Sequence, residues 1–355
     1  QQSLFTIRID PDHSQQLRFS DLVDTYEYLP LETTAESQIG KVTKIKFSKD
    51  LILLSDIFSA NTLSVFDRDG TYQFKVGQKG RGPGEYEFLL DFSLDEQKKE
   101  ILLLDNGYFV ISYDFSGKYL AEKAISGYSA LYMEKTPEGY AFIGGNEYDN
   151  LILADNQLQK INSFFPFQNA DIEATIIHPL QYIDAHTVIY RRNLYDTIFS
   201  VKEDHIEPHL RIDFGSKTLT YPELMDKNVS HVWEYVRDYP VVSSYYETPD
   251  HAYLTLGYQG RGKHALYCKT SGNLRVFDFT DLENDITFEK KSKLMGVDIY
   301  TRSFVYLVQP YVLKQALAAE GLPADSPHFQ KIHTLASSLD ELSNPILMFV
   351  KFKEF

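Results

Sequence analysis

Two stretches of this chain follow the same short plan, and that repeat restricts the fold more than any other feature. Residues 63–74 read Leu-Ser-Val-Phe-Asp-Arg-Asp-Gly-Thr-Tyr-Gln-Phe, and residues 110–120 read Val-Ile-Ser-Tyr-Asp-Phe-Ser-Gly-Lys-Tyr-Leu. Each is a β-run, an aromatic-Asp-x-x-Gly turn and a second β-run. In such a turn the Asp side chain bonds to the backbone and the Gly accepts a positive φ. A unit of strands and tight turns that recurs every 40–50 residues or so is the signature of a propeller blade. Between the two copies lies Gly77-Gln78-Lys79-Gly80-Arg81-Gly82-Pro83-Gly84-Glu85-Tyr86, a glycine-rich segment with no parallel elsewhere in the chain.

The same plan predicts six four-stranded blades. Blade 1 takes 39–47, 51–54, 62–66 and 71–76; blade 2 takes 89–94, 100–104, 109–113 and 118–124. Blade 3 takes 129–135, 139–144, 151–154 and 158–164, and blade 4 takes 179–183, 187–191, 197–202 and 206–212. Blade 5 takes 241–248, 251–257, 264–269 and 274–279. Blade 6 has only 294–300, 303–308 and 346–352, one strand short. The alternating run Asp24–Leu31 belongs to no other blade, so it is expected to close blade 6 and leave no exposed sheet edge. The expected fold is therefore all-β, one six-bladed β-propeller domain over residues 1–355 with residues 1–23 as a lead-in. Two helical insertions are expected, at 215–240 and 310–344. In the first, Val229, Val232, Trp233 and Val236 fall at helical spacing. In the second, Ser326-Pro327 reads as an N-cap followed by Pro at the first helical position. Phe329, Ile332, Leu335, Ala336 and Leu339 then form the apolar stripe, with Leu335 expected in the packed face.

Composition narrows the function classes. A net charge of −15 argues against a nucleic-acid partner. The 25 Tyr and 24 Phe suit many half-buried strands. With Cys268 alone, no intrachain disulfide is possible, and this thiol reads as a buried strand residue. No apolar run is long enough to cross a bilayer. The chain opens at Gln1 rather than Met, which fits an upstream export signal or lipid-anchored segment. No His or Cys spacing matches a zinc site, and no Gly-x-Ser-x-Gly elbow is present.

The turn at Phe66–Gly70, the segment Gly77–Tyr86, the lead-in Pro30-Leu31-Glu32-Thr33-Thr34, Ile39-Gly40, Tyr195–Phe199 and Ser343–Leu347 together resemble a known group. It is the six-bladed β-propeller proteins of Bacteroidetes, many of them exported proteins or lipoproteins, related to the NHL-repeat propellers. The resemblance spans almost the whole chain. It implies the propeller fold and a periplasmic or outer-membrane-associated location, with membrane attachment only through an N-terminal lipid. It implies no agreed activity.

Strands that alternate in direction send loops alternately to the two ends of each blade. One end receives the short Asp-Gly turns. The other receives Gly77–Tyr86, 191–195, 258–263 and both insertions. Arg81, Arg192, Tyr195, Tyr258, Arg261 and Lys263 are the expected ligand contacts there, since function collects on loops held by a rigid scaffold. Such a mouth would favour an anionic or hydroxyl-rich ligand. Each feature also has a plainer reading: the glycines as a structural turn, Arg192 as a salt-bridge partner. Asp56 and Asp105 read either as loop caps or as holders of a divalent cation in the channel; no other cofactor is expected. The preferred reading is an exported monomeric binding module for a glycan, a peptide or an envelope protein. Two alternatives stand beside it: a hydrolase or lyase at the channel mouth, and a cell-envelope scaffold.

Overall fold

Most of the blade sheets are ordered by one gradient, from a second strand shut away from water to a fourth strand half in it. Leu51–Asp56 and Ser303–Val308 are buried at every position, whereas Tyr119–Ala124 and Lys160–Phe164 are exposed along much of their length. Doubly buried strands lose the polar alternation of a surface strand, which is why their sequences read as unbroken apolar runs. The structure, a computed structural model, describes residues 4–145, 149–166, 178–192, 194–219, 236–289 and 292–355.

The strands fall where the repeat places them. Blade 1 is Lys44–Phe47, Leu51–Asp56, Thr62–Asp67 and Tyr72–Lys75; blade 2 is Leu89–Asp95, Glu100–Asp105, Phe109–Asp114 and Tyr119–Ala124. Blade 3 is Ala130–Lys135, Tyr140–Gly144, Leu151–Ala154 and Lys160–Phe164. Blade 4 is Leu180–Tyr182, Val188–Arg191, Thr197–Val201 and Ile206–Asp213. Blade 5 is Val241–Glu247, His251–Tyr258, Arg261–Cys268 and Leu274–Asp278. Blade 6 is Lys293–Asp298, Ser303–Val308, Ile346–Phe352 and, outermost, Val23–Pro30. That last pairing is antiparallel, Ile346 against Pro30 and Val350 against Tyr26, as the missing strand required.

Two compact units divide the chain. One comprises residues 1–12, 76–245 and 253–267, the other 13–75, 246–252 and 268–355. In the first, blades 2 and 3 share a core in which Leu102, Leu104 and Val110 meet Met133, Phe142 and Ile152. The free edge of blade 3's first strand is also satisfied from blade 2. Asp91 Oδ2 accepts from Met133 N at 2.8 Å and Ser93 Oγ from Lys135 N at 3.0 Å, so buried N–H groups are not orphaned. This unit holds a strand at the chain start that the sequence did not reveal. Thr6–Arg8 adds to blade 4 as a fifth strand, parallel to Ile206–Asp213.

In the second unit, blades 1 and 6 share a core of Ile45, Ile52 and Leu54 against Val305, Leu307 and Leu347. Buried Asp298 pairs with Arg68, whose guanidinium lies over the Phe47 ring at 5.3 Å. The Ser343-Asn344-Pro345 motif has its explanation here. The Asn344 side chain accepts from Ile39 N at 3.0 Å and donates to the carbonyls of Glu32 at 2.7 Å and Ser37 at 2.9 Å. One buried amide thus fixes the whole lead-in between the closing strand and blade 1.

The second insertion forms the helices Pro310–Leu317 and Pro327–Ser337. On the latter, Ile332 and Ala336 are the buried positions and Leu335 is only half-buried. The helix contacts the closing strand: His328 Nδ1 lies 2.7 Å from Tyr26 Oη, and Lys331 Nζ sits 4.2 Å above the Tyr26 ring. Leu335 stands one turn beyond Lys331, on the side that meets the closing strand through polar groups, whereas Ile332 and Ala336, one turn apart, form the buried side. Of the first insertion, residues 220–235, with the expected stripe of Val229, Val232 and Trp233, lie outside the described residues; Val236 is buried against Leu219.

Candidate functional site

The glycine-rich segment is a turn built around one carboxylate. Glu85 Oε2 accepts from Gly82 N at 2.8 Å and Glu85 Oε1 from Gln78 Nε2 at 2.6 Å. These donors hold the Glu85 carboxyl below the usual carboxylate range, the Gly82 amide contributing most. A side chain at Gly80 would run into Glu85 Oε2. One at Gly84, where φ is +75°, would sit 2.8 Å from the Tyr119 ring. Tyr113 Oη closes the base of the turn on Gly84 O at 2.9 Å. Gln78–Lys79 and Glu85–Tyr86 run side by side as a short parallel ladder. The turn is therefore rigid, and it presents Arg81 at its tip with the side chain 87% exposed and paired to Glu87.

A second loop meets it at the same end of blade 2. Asn106 N donates to Phe88 O at 2.9 Å, and Asp105 Oδ1 accepts from Phe88 N at 2.8 Å. Asn106 Nδ2 reaches Glu87 Oε2 at 2.9 Å. Phe88 and Tyr108 stand exposed beside these polar groups, at 40% and 52%.

The other expected contacts fall into two groups. Arg192, 3% exposed, lies between the Phe165 ring at 4.7 Å and the Tyr195 ring at 4.6 Å, and donates to Tyr195 Oη at 2.9 Å. Desolvated cation–π contacts of this kind stabilise by about 2 kcal/mol. Tyr258, 5% exposed, donates to Asp12 Oδ1 at 3.0 Å, and Lys217 also binds Asp12 while lying 5.3 Å above the Tyr258 ring. Buried Lys263 adds to the positive field that, with the Lys217 and Tyr258 hydrogen bonds, holds Asp12 below its ordinary value. Arg261 is exposed at the start of its strand. The structure thus joins Arg192 to Tyr195, joins Tyr258 to Lys217 through Asp12, buries Lys263, and leaves Arg81 and Arg261 facing solvent.

The two candidate cation ligands are both loop caps. Asp56 Oδ2 accepts from Gly40 N at 3.0 Å and Lys41 N at 3.1 Å, and Oδ1 from Ser59 N at 2.8 Å. Asp105 has the bond to Phe88 N already described. Among the described residues there is no group of three or more His, Cys, Asp or Glu side chains arranged to hold a metal ion. Among the described residues no helix is long and apolar enough to cross a membrane. A separate cleft of 620 Å³ lies in the second unit, lined in part by Glu32, Asp69, Thr71, Asp340 and Ser343.

Six blades of four strands in this order, the fourth extended by Thr6–Arg8, define a six-bladed β-propeller. The family described as Domain of unknown function (DUF4934) matches residues 4–351, and the chain belongs to it. Among solved structures, a candidate exported protein of Bacteroides fragilis is similar with a TM-score of 0.79 at 19% identity, over 99% of this chain and 100% of that one. A DUF4221 family member from Bacteroides vulgatus is similar with a TM-score of 0.54 at 12% identity, over 94% of this chain and 97% of that one. At those identities the likeness is one of fold. No curated protein matches the sequence.

Proposed function

We propose that this chain is an exported binding module that takes a glycan, a peptide or a partner protein at the loop-rich ends of its blades. One observation carries the reading: a turn whose glycines admit tight backbone geometry and whose central carboxylate, Glu85, locks it, with an arginine held out at its tip beside exposed rings. Backbone stiffness of that kind lowers the entropy lost when a ligand is bound. Arg81 and Arg261 are the contacts that reach solvent. Arg192, Tyr195, Tyr258 and Lys263 act one layer down, holding the loops in place. The likeness to the Bacteroides fragilis protein supports export, and a periplasmic or outer-membrane location follows from that reading.

Screening the protein against immobilised glycans and peptides tests the proposal. A bound ligand should lose at least about fivefold in affinity in Arg81→Ala or Arg261→Ala. It should be retained in Lys160→Ala, on the outer strand of blade 3. A ligand indifferent to both arginines would place binding elsewhere on the molecule.

A further inference from the structure

The row formed by Arg81, Glu87 and Asn106 narrows the ligand to one chemical class. Both carboxylate oxygens of Glu87 are engaged, one by Arg81 Nε and the other by Asn106 Nδ2 at 2.9 Å. Three side chains from two loops are thereby held in mutual register. The loops themselves are tied by the Asn106–Phe88 and Phe88–Asp105 bonds.

Charge decides among ligands. Arg81 and Glu87 cancel as a pair, so the row presents little net field to a carboxylate, sulfate or phosphate. What it does present is hydrogen-bonding capacity. A guanidinium carries five N–H donors, of which Nε is committed to Glu87, and the Asn106 amide and Glu87 carboxylate retain an N–H and several lone pairs. Alternating donors and acceptors match neighbouring hydroxyl groups, each of which is both. Beside them the Phe88 and Tyr108 rings, 40% and 52% exposed, offer flat apolar faces at little cost in side-chain entropy. A ring rimmed by hydroxyls, with C–H bonds on its face, satisfies both halves at once.

We propose that Arg81, Glu87 and Asn106 bind adjacent hydroxyls of a neutral oligosaccharide while Tyr108 and Phe88 take the C–H face of a sugar ring. The assignment rests on the binding-module reading above and narrows it. A peptide would leave the hydroxyl-matched row underused, and an anionic ligand would have to compete with Glu87 for Arg81.

The test is an array carrying neutral oligosaccharides (gluco-, manno- and xylo-hexaoses), acidic oligosaccharides and peptides, followed by calorimetric titration of whatever binds. The expected result is binding of a neutral hexaose that weakens at least about tenfold in Tyr108→Ala and fivefold in Arg81→Ala, the scale of a hot-spot contact. Both side chains are exposed, so both variants should melt at the wild-type temperature, and Arg81→Lys should not restore affinity because it lacks the planar fork. A neutral hexaose that binds both alanine variants as tightly as the wild type would overturn the assignment. Binding of acidic glycans or peptides alone would overturn it too, while leaving the broader binding reading intact. No binding to any array member would overturn the assignment and leave a partner protein as the ligand of the broader reading.

Discussion

Deleting residues 1–31 abolishes the cooperative thermal transition of this protein. The closing strand Val23–Pro30 supplies the whole outer edge of blade 6 by pairing with Ile346–Phe352, and Leu29 and Leu31 pack into the core shared by blades 1 and 6. Without it, Ile346–Phe352 becomes a long apolar edge with unpaired N–H and C=O groups, a template for aggregation. The helix Pro327–Ser337 loses its partners Tyr26 and Tyr28 at the same time. Circular dichroism on heating should show a broad, shallow change and visible precipitation. A sharp transition within a few degrees of the full chain would mean that the ring closes by other means.

Asn344→Ala lowers stability by about 3 kcal/mol. The side chain is buried and makes three bonds to the backbone of the 32–39 lead-in. Alanine would leave the Ile39 amide and the Ser37 carbonyl without that partner, each costing about 1–3 kcal/mol when buried, while the Glu32 carbonyl keeps the Ser37 hydroxyl at 2.8 Å. Asn344→Asp should recover only the contact to Ile39 N, because a carboxylate cannot donate to the two carbonyls and would be repelled by them. Denaturant titration of the three proteins checks this. Alanine and aspartate variants as stable as the wild type would show that the lead-in is held by Thr33 and Ser37 alone.

Legibility varied with the range over which each feature is encoded. The blades were readable because strand, Asp-Gly turn and strand lie within a dozen residues, and each local choice agrees with the fold. The closing strand was readable by subtraction. Thr6–Arg8 was not, since three residues carry no pattern and their partner lies some 200 residues away. Tyr258 read as a surface contact for the same reason: Asp12, which accepts its hydroxyl hydrogen bond, is remote in sequence and lies in a stretch with no element of its own. Arg192 is a nearer case. Tyr195 stands three residues on, and the pair could have been anticipated, but Phe165 on another blade completes the sandwich. In the turn at Gly77–Tyr86 the glycines announced tight backbone geometry. What the sequence did not announce is that Glu85 fills the space a side chain at Gly80 would need. Glu87 lies just outside the motif, and its link to Asn106 depends on two loops meeting, so the candidate site emerges only once blade 2 is folded.

The claim that ligand binding occurs at this end of blade 2 is tested most directly by hydrogen exchange, with and without the strongest array ligand. Exchange should slow at the amides of residues 77–88 and 105–109, with the outer strands unchanged. Slowing confined to the cleft formed by Glu32, Asp69 and Asp340, with none in those two loops, would contradict it.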